Sequence, residues 1–197
     1  MKNSEDKRIT KTRRNIKRTL TELLAEKSFE EITVTELCRR GETSRITFYT
    51  YYDDKYALVE EMFEDYIREA DTDYHALQSQ NNPDGDGLRG YENLLECILN
   101  LYYNNAEFFS HAVPSENPYL YSAFFRHILT SVDVYLQRHP QLRSRYPTRE
   151  TSALLCNGLM GVIAECVVAN GDEETVRKTA RAMYGALLRS ELFEIVG

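Results

Sequence analysis

Apolar positions in the first quarter of the chain recur at helical spacing, in short blocks divided by polar residues. Ile9, Ile16, Leu20, Leu23 and Leu24 mark one face of a helix over residues 8–26, preceded by a polar stretch, 1–7, expected to be disordered. A second helix opens at Thr33. There a capping box is predicted: the Thr33 hydroxyl accepts from the N–H of Glu36, and the Glu36 carboxylate reaches back to the Thr33 N–H. Ile32 and Leu37 are placed to form the hydrophobic staple, and Val34, Leu37 and Cys38 give the helix a narrow buried face. Gly41-Glu42-Thr43 interrupts the pattern, and a third helix begins at Thr43 or Ser44, either of which can cap it. In that helix Phe48 and Tyr52 lie one turn apart on one side, with Ile46 and Thr50 opposite. Two short helices around a tight polar break have the geometry of a helix-turn-helix.

The remaining pattern is helical too. A long helix follows Asp53 through Leu58, Met62 and Tyr66, to about Ala70. Gln78 to Gly87 read as a loop by composition, and Asp84 and Asp86 lack the spacing of a calcium loop. Further helices are predicted over 91–109, 119–139, 148–170 and 172–194, with breaks at Pro114 to Pro118, at an irregular connector over 139–147, and at Asn170-Gly171 as a C-cap. Few glycines and prolines, short β-branched runs and abundant Leu, Ala, Glu and Arg make the fold class all-α. The apolar run 153–169 contains Asn157 and Glu165 and falls short of the roughly 20 residues of a membrane span. It reads as a buried helix, and the N-terminal residues, lacking an apolar h-region, are expected to hold no signal peptide.

A net charge of -7 argues against a nucleic-acid binder until it is divided along the chain. Residues 1–56 hold 13 Lys/Arg against 10 Asp/Glu, whereas 57–197 hold 11 against 21. Lys7 to Arg18 alone carries seven basic residues and no acid, with Lys11, Arg14 and Arg18 on one helical face. A basic head on an acidic body favours one productive orientation on a polyanion. Cys38, Cys97, Cys156 and Cys166 form no C-x-x-C pair, each sits in an apolar pattern, and they read as free thiols in a reducing cytosol.

The outward side of the third helix has the chemistry of a DNA reader. Arg45 can pair bidentately with a guanine edge, Thr47 and Thr50 can donate to bases or touch a thymine methyl, and Tyr49 and Tyr51 can reach phosphate oxygens. Lys55 falls in the first turn of the following helix, where a cation opposes the helix dipole and makes sense beside an anion.

The pattern Phe29-x-x-Ile32-Thr33-Val34-x-x-Leu37-Cys38, followed by Ser44-Arg45-x-Thr47-Phe48-Tyr49-x-Tyr51-Tyr52-x-x-Lys55-x-x-Leu58, resembles the DNA-binding domain of the tetracycline-repressor-like (TetR) family of bacterial transcription regulators. The resemblance implies a helix-turn-helix domain over 1–56 and a helical effector-binding and dimerisation domain over 57–197. Its DNA-binding set would be Thr33, Thr35, Ser44, Arg45, Ile46, Thr47, Tyr49, Thr50, Tyr51 and Lys55. One departure stands out: the family's turn is usually Ala-Gly-Val, whereas here Gly41 comes one place early. Glu42 then occupies the position where positive φ is wanted, so it is strained or the turn is rebuilt.

In the body, aromatic residues gather in mid-chain. Tyrosine hydroxyls inside a helical bundle need partners, and a pocket between helices is what the resemblance implies. Tyr102, Tyr103, Phe109, Phe124, Phe125 and Glu165 are the pocket candidates. Glu96 and Glu165 each interrupt an apolar stretch and require an arginine or a cationic ligand group. Small residues in the last two helices permit close helix approach, and Gly158, Gly161, Met183 and Leu187 are assigned to a four-helix dimer interface that the resemblance implies. A two-fold dimer also suits a head whose single recognition helix reads few bases.

These readings imply a cytoplasmic bacterial regulator, a homodimeric repressor released from a palindromic operator by a small-molecule effector, with no cofactor or metal. An alternative keeps the DNA-binding head and makes the body a protein-docking module. His75, His111, His127 and His139 are scattered, and no H-E-x-x-H, G-x-S-x-G or Gly-rich phosphate loop occurs, so no enzymatic reading is supported.

Overall fold

The structure, a computed structural model, describes residues 2–139, 142–168 and 172–195. In order it contains α1 (Lys2–Leu24), a 3-10 turn (Phe29–Glu31), α2 (Val34–Arg40), α3 (Arg45–Tyr51), α4 (Lys55–Asn81), α5 (Gly87–Asn104), α6 (Ala106–Phe109) and α7 (Pro118–Arg138). These are followed by β1 (Leu142–Ser144), α8 (Thr148–Val168), α9 (Glu173–Leu188) and β2 (Phe193–Ile195). Among the described residues the fold is all-helical apart from one antiparallel pair of three-residue strands, in which Leu142 faces Ile195 and Ser144 faces Phe193. That pair takes the place of the irregular connector and of the end of the last helix expected from sequence. The Asn170-Gly171 stop signal lies outside the described residues.

The backbone divides into two compact units: Met1–Tyr66 with Asn105–Phe124, and Ile67–Asn104 with Phe125–Gly197. In the first, Ile16, Leu20 and Leu23 of α1 are buried with Leu37 of α2 and Phe48 of α3. α1 begins at Lys2, before the Arg8 start set by its apolar repeat, because nothing in the polar stretch breaks a helix. The core is completed by Phe63 of α4, whose ring meets Phe108 at 5.7 Å, Phe124 at 5.9 Å and Phe109 at 6.3 Å. The downstream segment also ties down the backbone: Asn117, buried, accepts from the N–H of Phe29 at 2.6 Å and donates to the carbonyl of His111 at 2.8 Å.

In the second unit, α8 and α9 pack together with α5 beside α9. Here α4 runs well past Ala70, to Asn81. The expected loop is confined to residues 82–86, and the polar side chains that suggested a longer one satisfy one another. Asn81 exchanges amide hydrogen bonds with the buried Asn93 of α5 at 2.8 and 3.0 Å, while Gln78 accepts from Asn82 at 2.7 Å and Asn93 at 3.2 Å. Asp86, weighed above as a metal ligand, caps α5 by accepting from the N–H of Arg89 at 2.7 Å.

Candidate nucleic-acid interface

Local chemistry builds the helix-turn-helix. Thr33 caps α2, accepting from the Glu36 N–H at 3.2 Å, but the reciprocal half of the box is absent: the Glu36 carboxylate pairs with Lys27 at 2.5 Å. The box forms one turn earlier, where the Glu31 carboxylate accepts from the N–H of Ser28 at 3.2 Å. Ser44, rather than Thr43, caps α3 and accepts from the Thr47 N–H at 3.0 Å. Between the helices Glu42 has φ +47°, the one non-glycine residue with positive φ among the described residues, so the strained alternative holds. Gly41 is needed for closeness instead. A Cβ there would sit 2.9 Å from the Leu37 carbonyl oxygen and 3.1 Å from Thr19 Oγ1 of α1, and Asn15 of α1 donates to the Gly41 carbonyl at 2.6 Å.

Two sides of α3 are thereby fixed. Phe48 and Tyr52 are buried, whereas Arg45, Tyr49 and Thr50 are exposed and Ile46 is 83% exposed. The Arg45 guanidinium lies 5.9 Å from the centre of the Tyr49 ring, a cation–π contact one turn apart that limits its freedom. Thr50 returns its hydroxyl proton to the Ile46 carbonyl at 2.8 Å, and Thr47 shares its hydroxyl with Ser44 at 2.8 Å. These threonines therefore offer methyl groups and lone pairs more readily than free donors. Thr33 and Thr35 are exposed at the start of α2, and Tyr51 is half-buried. On α1, Lys11, Arg14 and Arg18 line one open groove with Asn15, Glu42 and Thr43, so the basic face seen in the sequence adjoins the turn.

Lys55 is placed otherwise. Its ammonium donates to the carbonyls of Phe29 at 2.7 Å, Glu30 at 2.9 Å and Ile32 at 2.9 Å, and lies 4.6 Å from the Phe29 ring centre. In place of the anion inferred from its position stand neutral carbonyl oxygens at the end of the 3-10 turn. Desolvation pulls the ammonium's pKa below its ordinary value, with the Glu30 carboxylate opposing the shift. A second tie in this unit centres on Glu61 of α4, which pairs with Arg13 and with Lys17 at 2.5 Å, and accepts from the Tyr52 hydroxyl at 2.9 Å. Lys55→Met is expected to lower stability by about 1–3 kcal/mol, because three carbonyls lose their donor. The salt dependence of DNA binding should stay unchanged in that variant, whereas a lost phosphate contact would reduce the slope by about 0.9.

The second unit contains a cavity of about 360 Å³ walled by α4, α5 and α7, with Ile67, Ala70, Tyr74, Ile98, Ile128 and Tyr135 among its lining residues. None of the six pocket candidates lines it. Phe109 and Phe124 belong to the first unit's core. Tyr102 is buried against Tyr103, and the Arg177 guanidinium lies over the Tyr103 ring at 5.2 Å. Phe125 is half-buried, and Glu165 is exposed on α8 instead of interrupting a core. Glu96 has the arginine partner it required: Arg181 donates to it at 2.5 and 2.8 Å, with Arg177 at 3.5 Å. All four cysteines are free, three are buried, and Cys166 is half-buried. Burial pushes the Cys97 and Cys156 thiols up to about 12, so both stay protonated at neutral pH.

Residues 18–62 match the family described as bacterial regulatory proteins, tetR family. No curated protein sequence matches the chain. Among solved structures, a TetR-family transcriptional regulator of Syntrophomonas wolfei aligns with a TM-score of 0.74 at 12% identity, over 92% of this chain and 96% of that one. A TetR-family transcription regulator from Shewanella sp. PV-4 gives 0.65 at 16% identity, over 93% and 98%. The reduced form of NemR from E. coli gives 0.60 at 16% identity, over 94% and 100%. Residues 18–62 therefore carry the helix-turn-helix of the tetR family, and the fold of the chain is that of these regulators of known structure. Among the described residues no helix is long and apolar enough to cross a membrane.

Proposed function

We propose that the chain works as a homodimeric repressor in the bacterial cytoplasm, with residues 1–56 reading a palindromic operator and residues 57–197 binding an effector and pairing the subunits. The observation that carries this reading is the outward face of α3. An isoleucine 83% exposed beside a ring-stacked arginine has no partner within the fold, and suits a groove presenting thymine methyls and guanine edges. Lys11 and Arg14 on the adjoining groove are exposed and suited to phosphates.

Dimerisation is supported by what α8 and α9 leave uncovered. Gly158 and Gly161 are exposed, nothing stands within 4 Å of a Cβ at Gly161, and Leu154 and Met183 are 53% and 49% exposed. Leu187, half-buried, borders that face, whereas Ala180 and Gly185 are buried. The cavity favours a small-molecule effector over a protein-docking body, since its volume lies in the range of ligand sites, about 300–1,000 Å³. Effector binding would release DNA by as much as it prefers the conformation that fits the operator poorly. No catalytic constellation is assigned.

The test is selection of a bound duplex from a random library, followed by gel shift of the selected sequence against a metabolite panel. The expected result is a two-fold symmetric site, bound as a dimer and released by one class of compound. A selected site without symmetry, or binding untouched by any compound that raises the protein's melting temperature, would overturn the reading.

A further inference from the structure

We propose that the 360 Å³ cavity takes an amphiphilic carboxylate, with its apolar body between α4, α5 and α7 and its anionic group on Arg138 at the mouth. The inference rests on the cavity being the effector site and adds the chemical class of what enters it.

Most of the wall is hydrocarbon, and its hydroxyls already have protein partners. Tyr135 donates to the Gly87 carbonyl at 2.8 Å, Thr130 to that of Arg126 at 2.8 Å and Ser131 to that of His127 at 3.1 Å, while Tyr74 accepts from Gln78. A polar group on the body of a ligand would lose water there without replacement, which selects an apolar body.

The groups able to carry charge on the lining are Asp71, His75, Arg138 and His139, besides the buried Cys97 thiol and the two tyrosines. Asp71 stands 3.7 Å from His75. His139 holds the Tyr135 carbonyl through Nδ1 at 2.9 Å, and its ring stacks on Tyr135 at 4.1 Å. Arg138, exposed in the last turn of α7, has no acid or carbonyl partner among the described residues. Its planar fork of N–H donors matches a carboxylate, and among the described lining residues it is the one permanent cation.

Calorimetry on the full chain tests this, using decanoate and decyltrimethylammonium with the wild type, Arg138→Gln and Ala70→Phe. Decanoate is expected to bind the wild type at least about tenfold more tightly than the cation. Arg138→Gln should remove that preference by weakening decanoate alone, and Ala70→Phe, which fills the cavity, should abolish binding of both. Melting curves of both variants establish that they are folded. Equal or stronger binding of the cation, blocked by Ala70→Phe, would overturn the carboxylate assignment and leave the cavity a ligand site. A preference that survives Arg138→Gln also overturns it. No binding of either probe, or binding that Ala70→Phe leaves intact, would sink the reading of the cavity itself.

Discussion

Alanine at both Arg45 and Tyr49 is expected to leave the protein folded and remove its sequence selectivity. Both side chains are exposed and touch each other, so their loss should change stability by no more than about 0.5 kcal/mol. On DNA the effect is larger. A bidentate arginine on a guanine edge discriminates by about 1–3 kcal/mol, and a symmetric dimer uses it twice, so specific affinity should fall by roughly 30-fold or more. Affinity for random duplex, which the proposal assigns to phosphate contacts from Lys11 and Arg14, should fall far less. Competition gel shifts with selected and scrambled duplex, at one stated salt concentration, measure both quantities. A double variant that stays folded and still prefers the selected site would show that α3 is not the reading element.

Phe63→Ala should have the largest effect on stability, about 3–5 kcal/mol, because it empties a fully buried aromatic site. The ring meets Phe108, Phe109 and Phe124, so the loss includes both transfer of the side chain and the voids left against three neighbours. By contrast Ile46→Ala, at a residue 83% exposed, should change stability by no more than about 0.5 kcal/mol. Urea denaturation followed by circular dichroism compares the two. A loss below about 1 kcal/mol for Phe63→Ala would mean that the aromatic cluster does not hold the first unit together. Phe63 follows the last residue of the family match, yet Phe108, Phe109 and Phe124 lie more than forty positions downstream.

That contrast shows what the sequence could carry. The α2–turn–α3 unit was legible because its signals are local: the Thr33 and Ser44 caps, the Ile32–Leu37 staple, the spacing of Phe48 and Tyr52, and a glycine out of place that left Glu42 in the left-handed region. The cavity was not, for two physical reasons. The amides of Gln78, Asn81 and Asn82 read as loop chemistry unless Asn93 is known to face them, and the helix expected to about Ala70 left out Asp71, Tyr74 and His75 of the cavity wall. Aromatic density in mid-chain was then assigned to a pocket, when Phe109 and Phe124 fill a core with Phe63. Lys55 was misjudged likewise, since neutral carbonyl oxygens brought from Phe29 to Ile32 stand in place of its anion and composition does not reveal them. Its task follows from contacts between segments more than twenty positions apart.

The hydrogen bond from Phe29 to Asn117 spans 88 positions and carries a consequence for biosynthesis. A nascent chain that has left the ribosome only as far as Tyr66 lacks Phe108, Phe109, Asn117 and Phe124, so the part of the first core around Phe63 and the Phe29 N–H stays open at that stage of translation. Closure of that aromatic cluster awaits emergence of Phe124, by which time residues 67–104 of the other unit are already outside.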